Sequence, residues 1–114
     1  MKTVFRGEIY MVDFGEQPGS EQSGYRPALI IQNDKGNKYS PTTIVATITT
    51  KNKGNMPTHC MIKRNEGGIK YDSTVMFEQI FTIDKTRLIR KVGQVTNEAF
   101  KRFDEAVKAS LAIL

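Results

Sequence analysis

The chain reads as mainly β with one C-terminal helix, a twisted antiparallel sheet or small barrel capped by that helix. Three observations predict it. Stretches of two-residue alternation recur along most of the chain, and clusters of Gly, Asn, Asp and Pro separate them. Only the residues after Thr96 repeat their apolar positions at spacings of three and four.

Gly7 to Phe14 is the first strand, with Ile9, Met11 and Asp13 on one face and Tyr10, Val12 and Phe14 on the other. Gly15 to Gly24 is a polar, glycine-rich loop long enough to carry function. Arg26 to Gln32 is apolar on both faces, as expected of a strand that runs through a core. Pro27 keeps Arg26 extended. Asn33 to Pro41 is a turn with room for one helical turn. Thr42 to Thr50 is a β-branched run that sends Ile44, Ala46 and Ile48 inward and Val45, Thr47 and Thr49 to the opposite face.

Lys51 to Pro57 is a second polar loop, and Thr58 to Lys63 is a shorter strand. Arg64 to Tyr71 forms a turn. Thr74 to Ile83 alternates again, with Val75, Phe77, Gln79, Phe81 and Ile83 on one side, and Arg87 to Gln94 completes the sheet. Thr96 has the residue type of an N-cap. Beyond it, Phe100, Phe103, Val107, Leu111 and Leu114 make one apolar stripe for a helix to lay on the sheet.

With 114 residues, one domain over 1–114 and one core are expected, and no repeat or linker suggests a second. The longest apolar run, Ala28-Leu29-Ile30-Ile31, is far too short to span a bilayer, and the start of the chain lacks the apolar stretch of a secretory signal. A cytoplasmic location is the expectation. Seventeen Lys and Arg against twelve Asp and Glu give a formal charge of +5, a balance that suits a polyanion partner.

One cysteine, Cys60, excludes an internal disulfide and a multi-thiolate zinc site, and it has the character of a buried apolar residue. One histidine, His59, excludes a two-histidine acid–base pair or a HExxH metal site within one subunit, and it reads as a satisfied strand residue. No metal site or cofactor is expected.

The segments with chemical promise lie at strand ends beside the two polar loops. They are Arg6-Gly7-Glu8-Ile9-Tyr10, Gly24-Tyr25-Arg26-Pro27, Ile48-Thr49-Thr50-Lys51 and Asp72 to Ile80. In order and spacing, RGEIY, GSEQSGYRPALIIQND, SPTTIV, PTHC, EQI and TIDKTRL resemble the MazF/PemK family of toxin ribonucleases over nearly the whole chain. The resemblance implies an SH3-like β-barrel of the MazF/PemK/CcdB type and a symmetric homodimer. It also implies metal-independent cleavage of single-stranded mRNA at a short sequence, as an mRNA interferase. A MazE-like antitoxin with an acidic, flexible tail is the implied inhibitor, with no membrane partner.

By the same resemblance Arg26 and Thr49 carry catalysis. Ser20 and Glu21 contact bases, and Arg6, Tyr25, Thr50, Lys51, Lys53, Glu78 and Gln79 join them in binding RNA. These residue types suit the chemistry. The 2′-hydroxyl is the nucleophile, so the protein has to hold the phosphate and offset its growing charge. A guanidinium and a threonine hydroxyl do both. Arginine is a poor proton acceptor, which leaves the general base open.

Tyr25 is equally a stacking or a packing residue. Glu78 needs a specific partner, structural or RNA, to be buried without cost. Two other functions fit a basic β domain. A gyrase poison of the same barrel type leans on a tryptophan near the C-terminus, and this chain has none. A non-catalytic RNA-binding module has no need of Arg26 and Thr49 at matching places.

Overall fold

The structure, a computed structural model, describes residues 3–16, 24–51, 54 and 56–113. Six strands make one antiparallel sheet: β1 (Glu8–Asp13), β2 (Tyr25–Ile30), β3 (Thr42–Thr49), β4 (His59–Ile62), β5 (Ser73–Asp84) and β6 (Leu88–Gln94), ordered β4-β5-β3-β2-β1-β6. Helix α1 (Asp34–Tyr39) links β2 to β3, and α2 (Ala99–Leu111) ends the chain. The predicted elements are all present, with ends displaced by a few residues, as hydrogen-bond pairing rather than composition sets where a strand stops.

Each central strand is buried on both faces. Ile9, Leu29, Ala46, Ile48, Val75 and Phe77 join one apolar cluster, on which α2 lies. Tyr10, Val12, Ala28, Ile30, Val45 and Ile83 join a second on the other face. The two-sided apolar character of β2 thus has its reason. Below the second cluster, the buried Lys85 ammonium donates to the Asn37 carbonyl. Asn37 in turn accepts from Thr43 Oγ1 at 2.7 Å, tying α1 to β3.

The alternation expected across Thr74 to Ile83 breaks in the middle. Ala46 pairs with Ile80 but Thr47 pairs with Met76, so one step along β3 spans four along β5. Phe77, Glu78 and Gln79 are extra to that ladder, a bulge that reverses which residues face which way. Val75 and Phe77 therefore enter the α2 side, whereas Phe81 and Ile83 enter the other.

Two expectations for the terminal helix also change. It starts at Ala99 after Glu98, with no side-chain cap; Thr96 contributes only its carbonyl, which accepts from Ala99 N at 3.1 Å. The buried stripe is Ala99, Phe103 and Ala106, flanked by Phe100 and Val107, while Leu111 is exposed. Small alanines let the helix sit close, so Phe103 does most of the filling, its ring 5.8 Å from that of Phe77. Leu114 lies outside the described residues.

Among the described residues no ladder joins the edge strands β4 and β6, so strand pairing does not close the sheet. A 3-10 turn, Glu66–Gly68, packs against β6 instead. The approach is possible only without side chains: a Cβ on Gly93 would lie 1.8 Å from the Gly67 carbonyl oxygen. Gly93→Ala is expected to push the turn off β6 and to cost about 1–3 kcal/mol. Urea unfolding of the variant beside the wild type checks this, and an unchanged midpoint would contradict it.

Candidate nucleic-acid interface

The register of four adjacent strands builds the site. Thr47 pairs with Ala28 on β2 and with Met76 on β5, and Met76 pairs with His59 on β4. Cross-strand partners share a face, as do residues two apart on one strand. One row further along, Thr49 pairs with Thr74 and Thr74 with Met61. On β2 the corresponding position is Arg26, two residues before Ala28. Arg26, Thr49, Thr74 and Met61 thus form a row across one end of one face, with Thr47 and His59 in the row behind. No bulge intervenes between these two rows on β3, β5 and β4, and Arg26 stands two residues beyond the last β2–β3 pair.

Arg26 is exposed and Thr49 half-buried at the strand ends. The Thr49 hydroxyl oxygen accepts from the Lys51 backbone N–H at 3.2 Å. That contact uses a lone pair and leaves the hydroxyl proton for an outside acceptor. Thr50 and Lys51 come next in the chain, and both are exposed. A guanidinium, a hydroxyl donor and an ammonium at one rim make a natural seat for a phosphate.

The β5 bulge holds the next group. Thr47 Oγ1 donates to Gln79 Oε1 at 3.4 Å, placing Gln79 beside the catalytic candidates. Glu78 turns the other way: its carboxylate meets His59 Nε2 at 2.7 Å and accepts from Thr58 Oγ1 at 3.1 Å. Glu78 is exposed rather than buried, and its contacts are to His59 on β4 and to Thr58 just before it. His59 is satisfied on one ring nitrogen only. Its side chain is 6 % exposed, and its buried Nδ1 has no hydrogen-bond partner.

Burial alone would raise the Glu78 pKa; hydrogen bonds from His59, its own N–H and Thr58, with the charge of His59, together outweigh that and hold it below the usual carboxylate value. Cys60, behind His59, is buried, and burial pushes its thiol pKa up against the weaker opposing pull of Arg102. A thiol in that state is a poor nucleophile at neutral pH, in keeping with a packing role.

Other sequence candidates lie apart. Arg6 precedes β1 at the far end of the sheet from Arg26. Its guanidinium meets Asp104 at 2.6 Å, sits 4.3 Å from the Phe100 ring centroid and donates from Nε to the Ile31 carbonyl at 3.3 Å. That joins the amino-terminal segment to α2. Tyr25, 70 % exposed, alternates to the opposite face from Arg26 and shares a cleft with Met11, Asp13, Ile89 and Arg90. Ser20, Glu21 and Lys53 lie outside the described residues. Thr74, Met61 and His59 were not singled out as site residues, although stepping by two from Thr49 would have flagged Thr47. Among the described residues, no group of three or more His, Cys, Asp or Glu is placed to hold a metal ion. None of the described helices is long and apolar enough to cross a membrane.

A six-stranded antiparallel sheet with a C-terminal helix on one face and a cationic, hydroxyl-bearing row at one end places the chain among small, mainly β domains. Residues 5–111 match the family described as PemK-like, MazF-like toxin of type II toxin-antitoxin system, and the chain belongs to that family. It is 46% identical over 112 residues to Endoribonuclease EndoA of Bacillus subtilis (strain 168), with 97% of each chain covered. Among solved structures, an endoribonuclease in complex with its cognate antitoxin from Mycobacterial species superposes with a TM-score of 0.82 at 22% identity, covering 97% of both chains. MazF from Deinococcus radiodurans gives 0.82 at 18% identity, covering 98% of this chain and 99% of its own.

The Glu78 contacts have a consequence for stability. A carboxylate whose pKa is depressed by folding contributes stability that is full above its unfolded value, near 4.3. The contribution is lost as pH falls through the folded value. Thermal unfolding of wild type and Glu78→Gln should therefore show the widest gap at neutral pH and convergence in acid. A gap that widens on acidification would contradict the assignment.

Proposed function

We propose that this chain is the toxin of a type II toxin–antitoxin pair, an endoribonuclease that cleaves single-stranded RNA without a metal. The row of Arg26 and Thr49 on one face carries the reading, within a chain whose 46% identical relative is an endoribonuclease. The fold that goes with it is an SH3-like barrel left partly open, its β4–β6 gap bridged by the turn against Gly93.

The reaction uses the substrate's own nucleophile. The ribose 2′-hydroxyl loses its proton as its oxygen attacks the adjacent phosphorus. The bond from phosphorus to the 5′-oxygen breaks, and that oxygen takes up a proton, leaving a 2′,3′-cyclic phosphate and a 5′-hydroxyl. Arg26 holds the non-bridging oxygens with its planar fork of donors and offsets the charge they gain. Thr49 donates its free proton to the same phosphate, and Lys51 adds charge at the rim. Gln79, held by Thr47, presents its amide toward the bases. Arg26 serves charge stabilisation, because a guanidinium gives up its proton only above about pH 12.

The partners that accompany this reading are a second copy of the chain and an antitoxin with an acidic, flexible tail. Two shallow rows placed side by side in a symmetric dimer make one longer groove. An acidic tail meets the same cations that a phosphate chain would. One solved relative is an endoribonuclease held by its cognate antitoxin, which supports this choice of partner.

In EDTA, Arg26→Ala should lower kcat by about 10²–10³, and Thr49→Val should lower it similarly while leaving the fold intact. Mapped ends on a long RNA check both rate and chemistry. Products with 5′-phosphates, or abolition by EDTA with rescue by magnesium, would contradict the mechanism.

A further inference from the structure

The face that carries Arg26 and Thr49 is covered at its other end by α1 and the segment Thr3–Phe5. Val4 is buried in the second apolar cluster, with Ala28 and Val45. Asn37 accepts from Thr43, which alternation puts on the same face of β3 as Thr49. The two covering segments are joined where Arg6 N donates to Asp34 Oδ1 at 2.7 Å. Between them lies a cleft of about 770 Å³. Thr3, Val4 and Phe5 line one side, and Lys35, Lys38 and Tyr39 the other.

This cleft combines open apolar surface with unbalanced charge. Phe5 is 53 % exposed and Tyr39 69 % exposed. Apolar residues scattered singly over a surface need no explanation, but two rings gathered on one concave surface do. Lys38 Nζ lies 5.3 Å from the Tyr39 ring centroid. Neither Lys35 nor Lys38 enters any of the ion pairs among the described residues. Asp34 is the one acid that lines the cleft, and its carboxylate already accepts from Arg6 N and, at 3.3 Å, from Asn37 Nδ2.

We propose that this cleft docks an acidic peptide segment with a bulky apolar anchor, supplied by the antitoxin in addition to the tail that enters the cation row. The proposal rests on the toxin–antitoxin reading and adds a second site to it. The anchor packs between Phe5 and Tyr39, and flanking carboxylates meet the Lys35 and Lys38 ammonium groups. No arginine fork lines the cleft, in contrast to the Arg26 row, which favours carboxylates over phosphates as its ligands. From Thr43 to Thr49 is six residue steps of β3, or about 20 Å. About six or seven extended residues of one antitoxin chain cover that distance. One chain held at both sites gains avidity without any new contact at the catalytic row.

The test uses a short fluorescein-labelled peptide of Glu and Asp with a central Phe-Leu pair, and a control with Ala-Ala in its place. Amide NMR of the full chain should show the Phe-Leu peptide shifting Thr3 to Arg6 and Asp34 to Tyr39. Affinity read from the Asp34 and Asn37 amides should fall as salt rises. Phe5→Ser combined with Tyr39→Ser should weaken it about tenfold, and should leave RNA cleavage unchanged. Both side chains are exposed, so the double variant keeps its fold. Unmoved α1 amides overturn the proposal, as does equal affinity of the two peptides for the cleft. A non-cleavable single-stranded oligonucleotide that shifts the same amides more tightly than the peptide assigns the cleft to nucleic acid and overturns it too. So does a double variant whose sedimentation differs from wild type, since the cleft is then a contact between copies. RNA cleavage on the same samples separates the two readings. Peptide docking on a chain that cuts no RNA keeps the cleft and drops the ribonuclease; cleavage with unmoved α1 amides does the reverse.

Discussion

The bulge in β5 is the constraint on which the rest of the molecule depends. Three residues, Phe77 to Gln79, are extra to the ladder between β3 and β5. The surplus lets a single long strand serve two cores, sending Val75 and Phe77 toward α2 and Phe81 and Ile83 to the other face. It also sends two polar side chains in succession to partners on different strands. Glu78 goes to β4 and Gln79 to β3. Additional bonds secure the bulge backbone: Phe77 N donates to the Thr58 carbonyl at 2.9 Å, and Ser110 Oγ donates to the Phe77 carbonyl at 2.5 Å. A bulge tied from β3, β4 and α2 cannot slip, and a slip by one residue would turn every side chain beyond it to the wrong face.

Fixing that register fixes the site. Beyond the bulge, β3, β5 and β4 run in step, which aligns Thr49, Thr74 and Met61, and Arg26 lies two residues past the last β2–β3 pair, on the same face. The catalytic candidates sit where the ladder ends, and there a backbone N–H, that of Lys51, is available to orient the Thr49 hydroxyl. Rigid strands hold the chemical groups, while the loops at this rim are left to meet the substrate. The division is a common one for small catalytic domains.

Much of this was legible in the residues. Two-residue alternation located the six strands, and the two-sided apolar character of Arg26 to Gln32 announced a strand through the core. The long bulge was not legible, because VMFEQIFTI alternates plausibly whether or not three residues leave the ladder. The Thr96 cap and the Leu111 stripe misled for a related reason. Periodicity finds a helix but does not say how much of it lies on a sheet that ends before it does. The family resemblance alone put Arg6 among the RNA-binding residues. Its commitment to Asp104 and Phe100 is a contact across 98 positions that only tertiary structure reveals. Met61 was invisible for the opposite reason: an apolar residue in a short strand is taken for core until the strand proves to be an edge.

A crystal structure of the protein with a 2′-deoxy-substituted RNA spanning a mapped cut would test the central claim most directly. The scissile phosphate should lie with its non-bridging oxygens about 3 Å from both the Arg26 guanidinium and Thr49 Oγ1. A phosphate seated elsewhere on the sheet, with Arg26 and Thr49 both out of reach, would contradict the account.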